Sequence, residues 1–418
     1  MKPLDFGRSD NPRVQAQLDR LSALSVPQGR FGLNTIRALM ERLGNPHRAL
    51  PPVFHVAGTN GKGSTCAFLR SMLEAQGYCV HVTTSPHLVR YNERIRLAGE
   101  LISDAALAAV LEEVLDASEQ GGQDLGPSFF EVTIAAAFLA FARTPADACV
   151  VEVGMGGRFD ATNVLEPDAL AACGIAALGL DHERFLLAPE DGVPKEPMAR
   201  IAFEKAGIAK AGVLLVTIVQ PEVEMAAIRA VAAGVGAPVI IARSAPDVPL
   251  ALPGAHQRVN AGLAVAMLRA QTALPVSHAA MAAGLAGARW PARMQRLGPG
   301  PLTGGREVWL DGGHNPQAGA MLGAHFAGQR LHLVIGMIEG KDPASLIGPL
   351  GPMLASITAV PVPGHDWHPA HAFGPAATPA TDLFAAMADV PNDGLPVLIA
   401  GSLYLAGEVL RLNDQLPD

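Results

Sequence analysis

The sequence predicts an α/β protein: a doubly wound, mainly parallel sheet carrying a phosphate-binding loop, followed by a smaller C-terminal α/β domain. Three observations carry this. Short β-branched runs alternate with longer Ala/Leu-rich runs along the whole chain. Many of the short runs are apolar at consecutive positions, as parallel strands covered by helices on both faces require. One of them, "PVFHVAGTNGKGSTCAFLR", breaks into glycines, a lysine and hydroxyls ahead of an amphipathic run, which is the order strand, loop, helix.

Taken in order, residues 53–56 predict the first strand, 64–76 a helix stopped by Gly77, and 78–84 the next strand. "FFEVTIAAAFLAFAR" predicts a helix, and "ACVVEV" and "ALAACGI" two further strands. Near residues 286–306 the texture turns to "AGARWPARMQRLGPGPLTGGRE", rich in Pro, Gly and Arg, which marks an interdomain segment between 1–288 and 289–418. Beyond it "EVWLDGG", "LHLVIGM" and "PVLIAGS" predict strands, and "PQAGAMLGAHFAG" and "LYLAGEVLRL" helices, a Rossmann-like alternation. "GGQDLGPS" and "PVPGHDWHPAHAFGPAATPA" read as loops. In such sheets ligands bind at the carboxyl ends of the strands.

The 418 residues are 49% hydrophobic and 17% charged, which suits a soluble chain of more than one domain. A net charge of −8 offers no overall positive field for nucleic acid or an anionic membrane. Cys66, Cys79, Cys149 and Cys173 form no C-x-x-C pair and predict buried free thiols in a reducing compartment. The opening "MKPLDFGRSDNPRVQAQLDR" is polar and lacks a signal peptide's apolar core. Arg143, Lys210 and Arg229 cut the apolar runs short of the ~18 residues of a membrane span. A cytoplasmic monomer is expected.

The glycine loop departs from G-x-x-x-x-G-K-[ST], because Val56 stands where a glycine belongs and Gly63 where a hydroxyl belongs. Glycine comes instead at Gly58, and the hydroxyls at Ser64 and Thr65. Backbone N–H groups and a helix N-terminus present partial positive charge to phosphates, and Lys62 adds a full charge. Ser64, or else Thr65, is the candidate Mg²⁺ ligand. The plainer alternative is a joining turn with Lys62 in solvent.

Other polar residues stand at strand ends: Ser85 after "YCVHVTT", Glu152 within "ACVVEVGMGGRFDATN", and His182 after "GIAALGLD". A hydroxyl, a carboxylate and an imidazole at neighbouring strand ends suit a divalent ion between protein and phosphates. Singly, Ser85 could cap a helix, His182 could be a surface turn residue, and Glu152 could pair with Arg158. For Glu152 the cost of burying an unpaired carboxylate favours function. "WLDGGHNPQAG" repeats the grammar, with Asp311 and His314 positioned to face a cleft and Asn315 to cap a helix at Pro316.

"HVAGTNGKGST", "TSPHLVRYNERIR", "VVEVGMGGRFDATN", "FEKAGI" and "LDGGHNP", in this order, resemble the folylpolyglutamate synthase/dihydrofolate synthase family, relatives of the muramyl peptide ligases. The muramyl ligases share the loop and the acid but not "SPHLVRYNERIR". The resemblance implies a muramyl-ligase-like first domain and ATP-dependent amide ligation of the EC 6.3.2 type. A pteroate or folate carboxylate would be phosphorylated, then attacked by the amine of L-glutamate. The implied cofactors are ATP and Mg²⁺, with K⁺ as a further ion, and the partners are dihydropteroate or folate and L-glutamate.

Position by position, the resemblance assigns Thr59, Asn60, Gly61, Lys62, Gly63 and Ser64 to ATP, with Asn260, Arg293 and Asp311. Ser64, Ser85, Glu152 and His182 would ligand the metal. Lys62, Lys205 and His314 are the catalytic candidates. Lys205 matches the lysine that the family carries as a carbamate; by sequence alone it is a solvated helix lysine beside Glu204. The pterin set is Ser128, Phe129, Phe130, Glu131, Phe159 and Asp160. Phe129 or Phe130 would stack on the ring, and Glu131 or Asp160 would accept its N–H groups; both phenylalanines could instead be core residues at a helix start. "GRFGLNTIRALMERLG" resembles the segment that closes over the pterin, and "GSLYLAGEV", with Ser402 and Tyr404, the closing motif. Departures are Gly313 where the family has alanine, Ala292 where it has glycine, and a longer chain between His182 and Lys205. The alternatives are a muramyl-type ligase acting on a nucleotide-linked sugar acid and a nucleotide-gated binding or transport protein.

Overall fold

The computed structural model describes residues 7–24, 32–120, 124–245 and 248–418. The chain divides into two compact units, one made of the described residues within Asp5–Ala251 and Gln257–Arg289, the other of Leu252–His256 and Trp290–Asp418.

The larger unit is built on an eight-stranded sheet. Its strands are β1 (Val53–Ala57), β2 (Val80–Thr83), β3 (Ile95–Leu97), β4 (Glu100–Leu101), β5 (Ala148–Glu152), β6 (Leu170–Ile175), β7 (Leu215–Thr217) and β8 (Val239–Ile241), in the order β4-β3-β2-β5-β1-β6-β7-β8. Pairing is parallel except where β3 meets β2 and β4. Strands β1 and β5 are buried at every position, which is why their sequences run apolar without alternating. The register sets Val56 beside Glu152 and Gly174, so the loops leaving β1, β5 and β6 emerge side by side.

The helix after β1 spans Lys62–Ala75 and so begins two residues ahead of the sequence expectation, with Gly61 as its left-handed cap. The helix Phe129–Arg143 has the predicted bounds, because Ser128 and Glu131 form a capping box at its start. Strand β2 is shorter than 78–84, and Cys79, which precedes it after the Gly77 turn, is exposed. This corrects the expectation that every thiol is buried; Cys66, Cys149 and Cys173 are buried, and all four are free.

The smaller unit holds a six-stranded sheet of β9 (Gln295–Arg296), β10 (Val308–Asp311), β11 (Leu331–Ile335), β12 (Leu354–Ala359), β13 (Ala377–Pro379) and β14 (Val397–Ala400), in the order β13-β12-β11-β14-β10-β9. Only β9 runs antiparallel to its neighbour. Two stretches read from sequence as irregular carry edge strands. Strand β9 lies within 286–306, and β13 lies within 361–380 beside a 3₁₀ turn at Ala370–Phe373. Edge strands of two or three residues, β13 closing on Pro379, carry no alternating pattern to read. The expected opening segment begins at 29–31, and the "GGQDLGPS" loop at 121–123, outside the described residues. Among the described residues no helix is long and apolar enough to cross a membrane.

Candidate active site

The glycine loop is anchored before it reaches Lys62. The Thr59 and Asn60 N–H groups both donate to the Ala177 carbonyl, at 2.8 and 3.0 Å, and the Thr59 hydroxyl donates to Gly179 O at 2.9 Å. Gly61 has φ +84°, and a Cβ there would stand 2.3 Å from Asn260 Oδ1, so conformation and space both demand glycine. The Asn260 amide donates to Gln257 Oε1 (3.0 Å), and the Gln257 amide donates to Ser64 Oγ (3.2 Å). Thr65 spends its hydroxyl proton on Gly61 O at 2.8 Å, within the helix's first turn.

Lys62 Nζ lies 3.9 Å from Glu152 Oε1, and Glu152 Oε2 accepts the Ser85 N–H at 3.2 Å. Glu152 is buried, and Arg158 is engaged elsewhere, with Glu190 and Glu204, so the simple Glu152–Arg158 pair does not form. Ser85 caps no helix; its backbone braces Glu152. His182 starts a one-turn helix in a left-handed conformation, half-exposed, with Nε2 3.8 Å from Asp181 Oδ2. Among the described residues no group of three or more His, Cys, Asp or Glu side chains is gathered to hold a metal ion, so a site here needs the hydroxyls as well.

Lys205 is not a solvated lysine. It is 3% exposed, and its Nζ donates to Gly58 O at 2.9 Å. Burial first, and the nearby Lys62 second, lower its pKa to about 7, against the pull of Asp181, Asp160 and Glu204. The burial comes from two glycines. A Cβ on Gly157 would stand 2.8 Å from the Glu204 and Lys205 carbonyls, and one on Gly207 would stand 2.4 Å from Arg158 Cβ. Without those side chains the helix Pro197–Ala206 packs directly on the second glycine loop, where the Arg158 N–H donates to Glu204 O at 2.7 Å. The long segment before this helix contributes Glu190, which binds both Arg158 and Arg200.

In the pterin set, the Glu131 carboxylate accepts the Ser128 N–H and hydroxyl, both at 2.8 Å, within the capping box. Phe129 and Phe130 are half-buried and pack against the hydrophobic core at the helix start. The half-buried Phe129 ring meets Tyr91 edge-on at 6.0 Å with the Arg94 guanidinium 5.2 Å from its centroid. Phe130 occupies the space a Cβ on Gly154 would take, 2.3 Å from its ring. The Arg158 guanidinium lies over Phe159 at 4.2 Å. Asp160 is buried and accepts the Met155 N–H at 2.8 Å, the Thr162 N–H at 3.0 Å and the Thr162 hydroxyl. Burial pushes its pKa up, and these bonds and Lys62 oppose the rise.

In the smaller unit, Asp311 at the end of β10 accepts the Met294 N–H on one oxygen (2.8 Å) and the Gly313 N–H on the other (2.7 Å). The Arg293 guanidinium donates to Ala292 O at 3.0 Å, and His314 Nδ1 lies 3.1 Å from Gly312 O. Asn315 caps the helix Pro316–His325 as expected, accepting the Ala318 N–H at 2.9 Å. Ala292 has φ +54°, a conformation that favours glycine, whereas a Cβ on Gly313 would stand 2.5 Å from that of Ala318.

Two contributors were not singled out in the sequence. Gln257 sits three residues before Asn260 on one helix, a spacing that puts both on one face and was legible. Glu190 lies in an irregular stretch and carried no signal.

No protein-family model matches the chain. The dihydrofolate synthase/folylpolyglutamate synthase of Bacillus subtilis is 33% identical over 436 aligned positions, covering 91% of this chain and 94% of that protein. The Escherichia coli protein of the same name is 33% identical and is covered to 92% on both sides. Among solved structures, Escherichia coli FolC in complex with DHPP and ADP superposes with a TM-score of 0.83 at 30% identity, covering 97% of this chain and 98% of that one. A bifunctional folylpolyglutamate synthase/dihydrofolate synthase with Mn, AMPPNP and L-glutamate bound gives 0.80 at 27% identity, covering 97% and 99%. With Lys62, Glu152, Asp160 and Lys205 gathered about the loops leaving β1 and β5, these likenesses mean that the chain belongs to the dihydrofolate synthase/folylpolyglutamate synthase family of ATP-dependent, glutamate-adding ligases.

Proposed function

We propose that the protein joins L-glutamate to dihydropteroate, to folates, or to both, through an acyl phosphate. A free carboxylate resists an amine because oxide would have to leave. Transfer of the γ-phosphoryl group to a carboxylate oxygen releases ADP and converts the leaving group to phosphate. The glutamate nitrogen then attacks the acyl carbon, the C–O bond breaks, phosphate departs and the nitrogen loses a proton. Positioning and charge stabilisation carry such a reaction, with no protein nucleophile.

The observation that carries the proposal is Lys62, set at a helix N-terminus beside the buried Glu152. In this reading Thr59 to Ser64 hold the phosphates, with Lys62 against the transferred group and Asn260 behind Gly61. In the smaller unit Arg293 and Asp311 are assigned to ATP and His314 to catalysis. Ser64, Ser85, Glu152 and His182 would hold Mg²⁺, with K⁺ as a further ion; hard oxygen donors dominate this set, as Mg²⁺ prefers. Ser64 is preferred to Thr65, whose hydroxyl is turned back onto the Gly61 carbonyl of its own helix turn. The bound ion would neutralise phosphate charge as the γ-group is transferred. Asp160 is assigned to accept a pterin N–H, with Phe129 or Phe130 as the stacking face and Ser128, Glu131 and Phe159 in the same set. Lys205 is assigned as a carbamate: its lowered pKa leaves a neutral amine whose lone pair attacks CO₂, with loss of one proton. The protein is assigned as a cytoplasmic monomer.

Incubation with ATP, Mg²⁺, L-glutamate and either dihydropteroate or tetrahydrofolate tests the proposal. Glutamate-dependent phosphate release and a product heavier by one glutamyl residue are expected. ATP turnover indifferent to glutamate, with no conjugate from any pterin acceptor, overturns it.

A further inference from the structure

Strand β1 places a histidine at its centre, where its neighbours Phe54 and Val56 are apolar. His55 is completely buried. Its Nε2 lies 2.8 Å from Thr162 Oγ1, and the Thr162 hydroxyl is also bonded to Asp160 Oδ1. A hydroxyl has one proton, and an ionised carboxylate can only accept it. With Asp160 ionised, as the two backbone N–H groups it accepts favour, His55 Nε2 is the donor to Thr162, and Nδ1 is a bare acceptor. That Nδ1 is buried with no hydrogen-bond partner. Burial drives the ring's pKa to about 3, so it stays neutral.

An unpartnered ring nitrogen in a core strand disfavours folding, and an aliphatic residue would fill the position without that cost. What the histidine supplies is the N–H at its other end. From these contacts we propose that His55, acting through Thr162, is a positioning residue for Asp160 and so for the pterin acceptor. The inference rests on the assignment of Asp160 to the pterin.

The surroundings leave Thr162 little freedom. Next to it, the Asn163 amide donates to Arg158 O (2.9 Å) and Gly207 O (3.0 Å), and Lys210 Nζ donates to Asn163 Oδ1 (2.8 Å). The hydroxyl rotor is then set by His55 on one side and Asp160 on the other. Asp160 Oδ1 receives both the N–H and the hydroxyl of Thr162, which fills its two lone-pair directions. Oδ2 accepts the Met155 N–H and keeps one direction for a substrate donor. Donation running His55 to Thr162 to Asp160 polarises each bond in the same sense and holds the carboxylate in one orientation. Losing the His55 N–H leaves the Thr162 hydroxyl without its fixed direction and weakens its bond to Asp160, while the backbone N–H groups of Met155 and Thr162 stay on the carboxylate.

The test is steady-state kinetics of the ligase with each substrate varied in turn. His55→Leu and Thr162→Val should each raise KM for the pterin acceptor about tenfold or more, with KM for ATP within about twofold. His55→Gln, whose amide can replace the Nε2 donor, and Thr162→Ser should return the pterin KM to within about threefold of wild type. A merely structural role would move the two KM values together and would not be rescued by the donor-retaining variants. Should His55→Leu not fold, the Thr162→Val and Thr162→Ser pair carries the test. Asp160→Asn separates the two layers. If it raises the pterin KM while the Thr162 and His55 variants leave it unchanged, the relay is refuted and the role of Asp160 stands. If Asp160→Asn leaves that KM unchanged, the assignment of Asp160 and the relay built on it both fall.

Discussion

The loops leaving β1 and β10 share a local grammar, a strand followed by glycines, a polar residue and a helix start, but they use their charges differently. Lys62 stands 3.9 Å from Glu152, beyond hydrogen-bond length. Asp311 is bonded through both oxygens to backbone N–H groups at 2.8 and 2.7 Å. A long ion pair can exchange its partner for a phosphate at little cost. A carboxylate that closes two turns cannot move without opening them. The same motif grammar thus yields a loosely paired charge in one unit and a charge bonded into its own loop in the other.

The largest effect that would sharpen this contrast is on Lys62. Lys62→Ala should lower ligation about a thousandfold or more, with thermal unfolding nearly unchanged. Retained activity would mean that the charge is not presented to phosphate.

The pH dependence of Lys205 follows. Its folded pKa of about 7 lies below that of a free lysine, so between the two values the unfolded chain holds a proton that the folded chain lacks. Raising the pH from about 7 toward 10 should therefore stabilise the wild type relative to Lys205→Met, while below that window both states are protonated and the penalty of burial is fully felt. Urea unfolding in CO₂-free buffer at both ends of the window measures it, and parallel responses would put the amine in a water-like environment.

At β10, Asp311→Asn should cost about 1–3 kcal/mol of stability, because one backbone N–H loses its acceptor. Denaturant unfolding that is unchanged in this variant would erase the distinction between the two loops. The smallest effect is Ala292→Gly, which relieves a left-handed alanine and should raise stability by about 0.5–1 kcal/mol after the entropy of the added glycine. A lower melting temperature would show that the alanine methyl contributes more by packing than its backbone costs.

Legibility differed by element for physical reasons. The helices Phe129–Arg143 and Leu403–Leu412 fall where the sequence predicts them, because caps at Ser128 and Ser402 lie within a few residues of the bonds they make. Strand β13 was hidden, since three residues at a sheet edge carry too little pattern. The thiol of Cys79 was misjudged because the helix-to-strand turn runs two residues past Gly77, into what reads as strand. The glycine loop after β1 and the buried acid ending β5 were legible as neighbouring strand ends. That Glu152 faces Lys62 and not Arg158 was not, because Arg158 is taken by Glu190 from a segment without recognisable pattern.

By itself the sequence determined the alternation of strands and helices, the loop and its lysine, and the ordered motifs that mark the family. These rest on periodicity, turn chemistry and spacing within a few residues. The tertiary structure decided the burial of Lys205 against Gly58, 147 residues away, and the hydrogen bond of His55 to Thr162, 107 residues away. It also decided which loop hydroxyl is committed to its own helix turn. Protonation, burial and hydrogen-bond direction depend on what packs against a group, and here the packing partners come from distant parts of the chain.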